Sequence, residues 1–198
     1  MGKVIKFILL SLLGLFLLFL GYIVSKYISW EKEFTNNRGE GIVCTKDEEK
    51  VEMDFKERIE NFILSDSYAE FLTFSKREAL YLIEESIPKT EELKIEEMCL
   101  ETDSGKWKIY IQSRFKSFKL PWIAIDIVKD KRETAELYTP SMYIGNLKVP
   151  EKFSKGLLQK ISKGLSDALI VVTENNFLGK EIKNIDILKD SVVFKGGL

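Results

Sequence analysis

The feature that most constrains this chain is "FILLSLLGLFLLFLGYIV", Phe7 to Val24, a stretch of about eighteen residues without a charge. At 1.5 Å per residue a helix of that length crosses most of a hydrocarbon core. Lys3 and Lys6 precede it. Positive residues favour the cytoplasmic side, so the N-terminus is expected inside and the rest of the chain outside. Lys26 and Lys32 on the far flank oppose that orientation, but Glu31 and Glu33 stand beside them. A cleaved signal peptide would have a shorter apolar core followed by small residues. "GYIVSKYISW" offers no such site and no lipobox cysteine, so an uncleaved anchor is the favoured reading. Tyr22, Tyr27 and Trp30 are then expected as interfacial aromatics at its outer edge. The chain divides into an anchor over 1–28, a tether over 29–50 and an extracytoplasmic domain over 51–198.

From Ser25 onward, 28 Lys+Arg (30 less Lys3 and Lys6) face 31 Asp+Glu, a balance that gives no electrostatic reason to expect nucleic acid. The chain contains no histidine. That removes Ser-His and Cys-His nucleophile pairs, histidine zinc sites and any imidazole acid–base step. Two cysteines are too few for an all-cysteine metal site, and neither a GxxxxGK[ST] nor a GxGxxG phosphate cradle occurs. Carboxylates come in solvated-looking pairs such as Glu84-Glu85, Glu91-Glu92 and Glu96-Glu97, with nothing to single out a glycosidase-type pair. The expectation is a non-enzyme with no metal and no cofactor. Cys44 and Cys99 both fall in the exported part. A disulfide closing about 54 residues, worth about 3–4 kcal/mol, and a pair of buried free thiols fit the sequence equally.

Along the exported part, "TNNRGEG" is loop-like, and a short strand is expected at Ile42 to Thr45. Val51, Phe55, Ile59 and Phe62 or Ile63 share a helical stripe that ends near Ser65. Phe71 to Phe74 reads as extended. Ser75 with Glu78 forms a capping box, opening a helix that buries Ala79, Leu82 and Ile83 and stops before Pro88. Leu93 to Thr102 and Lys106 to Phe115 flank an Asp103-Ser104-Gly105 turn. In the second strand Trp107, Ile109, Ile111 and Phe115 face one way and Lys108, Gln112 and Arg114 the other. Leu120 to Val128 is apolar on nearly both faces, so it is central or ligand-facing, and Ala135 to Ile144 is a further strand.

Gly145, Asn146 and Pro150 in "SMYIGNLKVP" read as a strand-to-helix corner. After it, Phe153, Leu157, Ile161, Leu165 and Ala168 or Leu169 recur at helical spacing, and Lys152, Lys155, Lys160 and Lys163 occupy other faces. Those lysines read as a solvated face in preference to a lipid-binding stripe. Ile182 to Leu188 and Ser191 to Phe194 form a last hairpin. The fold class expected is α+β: a transmembrane helix followed by a curved antiparallel sheet packed against amphipathic helices.

The segment "LTFSKREALYLIEES", the hairpin strands, the "YIGNLKVP" corner, the amphipathic helix and the ending "EIKNIDILKDSVVFKGG" follow in an order that resembles the YpmS-like family of single-pass bacterial proteins. More distantly they resemble the LmeA-like extracytoplasmic phospholipid-binding proteins. Gly145, Leu147, Val149 and Pro150 match the family's G-x-L-x-[VL]-P corner, and the likeness covers about Phe71 to Gly196. It brings no catalytic residues. It implies a sheet and helix enclosing an apolar groove, sometimes for lipid. The two cysteines and the helix from Val51 to Ser65 depart from the pattern. The resulting expectation is a non-enzymatic, membrane-anchored domain. Trp122, Ile123, Ile125, Ile127, Leu157, Ile161 and Leu165 are its candidate groove for lipid or another apolar ligand. The alternative is a structural or assembly subunit of a cell-envelope complex.

Overall fold

The computed structural model describes residues 2–39, 41–47, 57–58, 61–62, 71–86, 93–103, 105–129, 137–162 and 181–197. Within them the fold is α+β, a long apolar N-terminal helix followed by antiparallel sheets. Helix α1, Gly2–Asn36, is unbroken for 35 residues. By length and composition, its stretch from Val4 is sufficient to cross a membrane. No proline or glycine lies between Val24 and Asn36, so nothing interrupts the backbone ladder where the apolar run ends. Residues 29–36, expected as the start of a tether, therefore continue the helix. The Asn37 amide still donates to the Glu33 carbonyl at 2.8 Å.

The elements that follow are β1 (Ile42–Cys44), β2 (Phe71–Ser75), α2 (Lys76–Ser86), β3 (Leu93–Asp103), β4 (Lys106–Phe115), β5 (Phe118–Lys119) and β6 (Ile123–Lys129). Then come β7 (Leu137–Tyr138), β8 (Met142–Ile144), β9 (Leu147–Lys148), helical residues 151–162, β10 (Glu181–Ile187) and β11 (Ser191–Gly197). The larger sheet runs in the order β1-β3-β4-β6-β8-β9, with β5 beside β4 and β7 beside β6. The smaller runs β10-β11-β2, and every pairing is antiparallel.

Local chemistry accounts for the joints. The capping box forms as the sequence suggests: the Ser75 amide donates to the Glu78 carboxylate at 2.7 Å, and the Glu78 amide donates to the Ser75 hydroxyl at 3.3 Å. Gly105 closes the β3–β4 turn with φ 75°. The strand expected from Ala135 to Ile144 is split, because Pro140 lacks an amide donor and separates β7 from β8. "SMYIGNLKVP" is first a two-residue hairpin, with Ile144 opposite Leu147 and Gly145 at φ 61°, and only then a lead into helix. The helix expected over Val51 to Ser65 falls mostly outside the described residues; 57–58 and 61–62 are helical.

The two faces of the larger sheet meet different partners. One face carries Met98, Leu100, Trp107, Ile109 and Ile127. With Leu72, Phe74, Ile185, Ile187 and Val192 of the smaller sheet and Ala79 and Leu80 of α2, they form the main apolar cluster. The other face carries Cys99, Tyr110 and Ala124, which join Phe34 of α1, Cys44 and Trp122 in a second cluster. α2 buries Ala79 and Leu80, with Ile83 partly covered; the Leu82 side chain lies outside the described set.

Lys129 at the end of β6 ties the two sheets by donating to Asn184 and, at 2.9 Å, to the Asp186 carboxylate of β10. Lys195 contacts the other Asp186 oxygen at 2.5 Å. The Lys195 and Lys129 hydrogen bonds hold the Asp186 carboxyl below its ordinary value. The folded state thus binds this proton less readily than the unfolded chain. The resulting stabilisation is complete above the ordinary carboxylate pKa and is lost as pH falls through the lowered folded value. Asp186→Asn is expected to cost about 1 kcal/mol at neutral pH and nothing at strongly acid pH, read from unfolding transitions across that range. An equal cost at both ends would remove the ion pair as the cause.

Candidate functional site: the sheet face beneath the N-terminal helix

Alternation along β4 sends Lys106, Lys108, Tyr110 and Gln112 to the side of the sheet that α1 covers, and register brings their neighbours into rows. One row is Glu101, Lys108 and Asp126; the next is Cys44, Cys99, Tyr110, Ala124 and Tyr143. Side chains of α1 reach onto these rows. Trp30 and Phe34 stack with ring centroids 4.9 Å apart, Phe34 lies 4.6 Å from Tyr110, and it meets Trp122 edge-on at 5.2 Å. The Tyr27 hydroxyl accepts from the Trp122 amide at 3.0 Å. Beneath this seam Cys44 and Cys99 sit directly opposite in register, their Cα atoms 4.0 Å apart, and are joined as a disulfide. Of the two states the sequence allowed, the bonded one is present.

A polar rim surrounds the aromatic seam. Glu97, buried at 5% exposure, accepts from Arg38 just beyond α1 and from Lys46 at 3.2 Å. Asp126, 3% exposed, accepts from the Tyr143 hydroxyl at 3.0 Å and pairs with Lys106 at 3.2 Å, with Lys108 3.9 Å from its other oxygen. The Tyr110 hydroxyl donates to Glu101 at 2.6 Å. Burial, then this carboxylate, raises the Tyr110 phenol far above its ordinary value. Each buried carboxylate here has a cationic or hydroxyl partner, which is what burying charge requires. The Glu97 carboxylate and the two sulfurs lie within 4.8 Å of one another. With the sulfurs bonded and Glu97 held by Arg38 and Lys46, these atoms are already engaged. The arrangement is suited to fastening a helix on a sheet.

The residues nominated from sequence as a groove do not share one surface. Trp122, 1% exposed, lies under α1. Ile123, Ile125 and Ile127 pair with Ile111, Ile109 and Trp107 on the opposite face, and Ile127 belongs to the inter-sheet cluster. In the helical residues 151–162 the inward positions are Ser154 and Leu158, with Ile161 partly covered, while Leu157 is 48% and Phe153 77% exposed. Thr139 selects that face by bonding the Leu158 carbonyl at 2.9 Å and the Ser162 hydroxyl at 2.6 Å. Leu165 lies outside the described residues. Gly145 belongs to the seam after all, whereas Asn146 and Pro150 are exposed beside it. Tyr27, Trp30 and Phe34 are the residues that sequence reasoning placed elsewhere. Their spacing of three and four is a helical stripe running past the last apolar residue, a signal present in the sequence.

A Cβ at Gly145 would stand 2.8 Å from Trp30 Cε3 and 3.0 Å from Tyr27 Cδ2, at a φ of +61°. Gly105, at φ +75°, faces open space. Both alanine variants incur about 1 kcal/mol for the left-handed backbone. Gly145→Ala is expected to add about 1–3 kcal/mol from overpacking, measured by thermal or denaturant unfolding of the full chain in detergent. Equal losses for the two variants would mean that α1 is not seated on this turn.

No protein-family model, curated protein or solved structure matches this chain.

Proposed function

We propose that this chain is a single-pass membrane protein whose C-terminal domain is held outside the cytoplasm as a non-catalytic structural or assembly module. One observation carries the reading: α1 runs without a break from an apolar stretch that is 0% buried to an aromatic stripe seated on the larger sheet. A domain that only needed to be kept near a membrane could hang on a loose tether. A domain whose anchor is built into its fold presents a defined surface at a defined height. The lysines ahead of the apolar run support an inside N-terminus, and the Cys44–Cys99 disulfide supports an oxidising compartment for the domain. The non-catalytic part of the reading rests on the absence of histidine from the chain and on buried carboxylates engaged in ion pairs and hydrogen bonds.

Binding of an apolar ligand between sheet and helix would require an open surface gathering the candidate residues. Their division between two faces favours the assembly reading. The test is topological and then compositional. Alkaline phosphatase fused after Leu198 is expected to be active in intact cells, and the full chain is expected to stay in membranes through an alkaline carbonate wash. In-cell cross-linking is then expected to yield discrete higher-mass species of fixed composition. Release by carbonate would end the anchored reading. Retention with monomer alone, at native abundance, would end the assembly reading.

A further inference from the structure

The direction in which α1 crosses the sheet says which edge of the domain is nearest the membrane. Tyr27 and Trp30 touch the β8–β9 turn at Gly145, and Tyr27 also reaches Trp122 ahead of β6. Phe34 lies over Tyr110 of β4 in the cluster that holds Cys99 and Cys44, and Arg38 reaches Glu97 of β3 and Asp47 past β1. The helix thus passes over the strands in the order β8, β6, β4, β3, β1. It runs across them and leaves the apolar span at the β9 edge. Val24 precedes Tyr27 by about 4.5 Å along the axis, so the β8–β9 turn sits at the level where the apolar stretch ends.

The chain turns from β9 through Pro150 directly into the helical residues 151–162, whose far end is held by Thr139 between β7 and β8. This helix therefore starts beside the edge strand β9, and its far end lies beside Thr139, between β7 and β8. With Ser154 and Leu158 turned inward, it leaves Phe153 77% and Leu157 48% exposed, and Ile144 on the adjoining strand is 40% exposed. Over residues 142–162 the charges are Lys148, Lys152, Lys155 and Lys160 against Glu151 alone; all five side chains are exposed. An apolar pair one turn apart, flanked by lysines and beside the edge where the apolar span ends, has the make-up of an interfacial contact.

We propose that residues 144–160 form a second membrane contact, in which Phe153 and Leu157 sit among the headgroups of the bilayer that α1 spans and the lysines meet anionic lipid. The proposal rests on the anchored orientation above. The occupant is the bilayer surface because the same edge already adjoins the end of the apolar helix, and its charge has the sign that anionic headgroups attract.

The test uses the full chain in nanodiscs of phosphatidylglycerol or of phosphatidylcholine, carrying the photoreactive residue p-benzoylphenylalanine at one position. At Phe153 it is expected to form lipid adducts in phosphatidylglycerol, with markedly fewer in phosphatidylcholine. At Lys46, beside the opposite edge, none are expected. Reversing Lys152, Lys155 and Lys160 to Glu together is expected to lower the adduct yield at position 153 by roughly tenfold or more. Adducts from a probe at Leu17 but none at 153, or equal yields at 153 and 46, would overturn the second contact while leaving the anchor intact. Equal yields in the two lipids would overturn its anionic character. Loss of adducts at Leu17 as well would overturn the anchored reading itself.

Discussion

The aromatic seam between α1 and the larger sheet is the interaction on which the arrangement of this molecule depends. Phe34 stacks on Trp30, lies tilted over Tyr110 and meets Trp122 edge-on, and Trp30 stacks with Tyr110 at 6.3 Å. Each such ring buries a large apolar area and gains further from ring geometry. Without the seam, α1 and the domain would share only a chain connection. With it, a helix apolar enough for a membrane also completes the second core of the domain.

That second core explains the composition of the sheet's two faces. The inter-sheet face is filled with Met98, Leu100, Ile109 and Ile127, as a two-sided sandwich requires. The α1 face mixes rings with Glu97, Glu101, Lys108 and Asp126. A single helix covers a narrow strip of the face of an eight-stranded sheet, and the rings lie under that strip. Those along its margins hold charge in pairs. The disulfide lies within the strip, where it links the short edge strand β1 to β3 and fixes the floor on which Phe34 rests.

Much of the fold was readable from sequence because local rules decide it. The Ser75–Glu78 cap, the Gly105 turn, the alternation of β4 and the final hairpin depend on residues close together in the chain, and each forms where spacing places it. What escaped depends on distant partners. Nothing near Leu157 or Leu158 says which turns inward; Thr139, distant in sequence, holds the face of Leu158 and Ser162 by bonding the Ser162 hydroxyl. Tyr27 and Trp30 carry the chemistry of interfacial aromatics, and only partners remote in sequence, Tyr110, Trp122 and Gly145, reveal that they are seated on protein. Four groove candidates, Trp122, Ile123, Ile125 and Ile127, come from a stretch apolar on nearly both faces. Period-two geometry then sends Trp122 one way and Ile127 the other, to two different cores.

The unbroken course of α1 also has a mechanical consequence. An apolar helix longer than the local hydrocarbon thickness accommodates by tilting, at a modest cost per ångström of mismatch. A flexible juncture between an anchor and its domain would absorb that tilt. Here Ser25–Asn36 are helical and Tyr27, Trp30 and Phe34 are seated on the sheet. A thinner bilayer would therefore incline the whole domain, pressing one rim toward the lipid and lifting the other. In the anchored arrangement proposed above, bilayer thickness would become a variable that sets the posture of the domain.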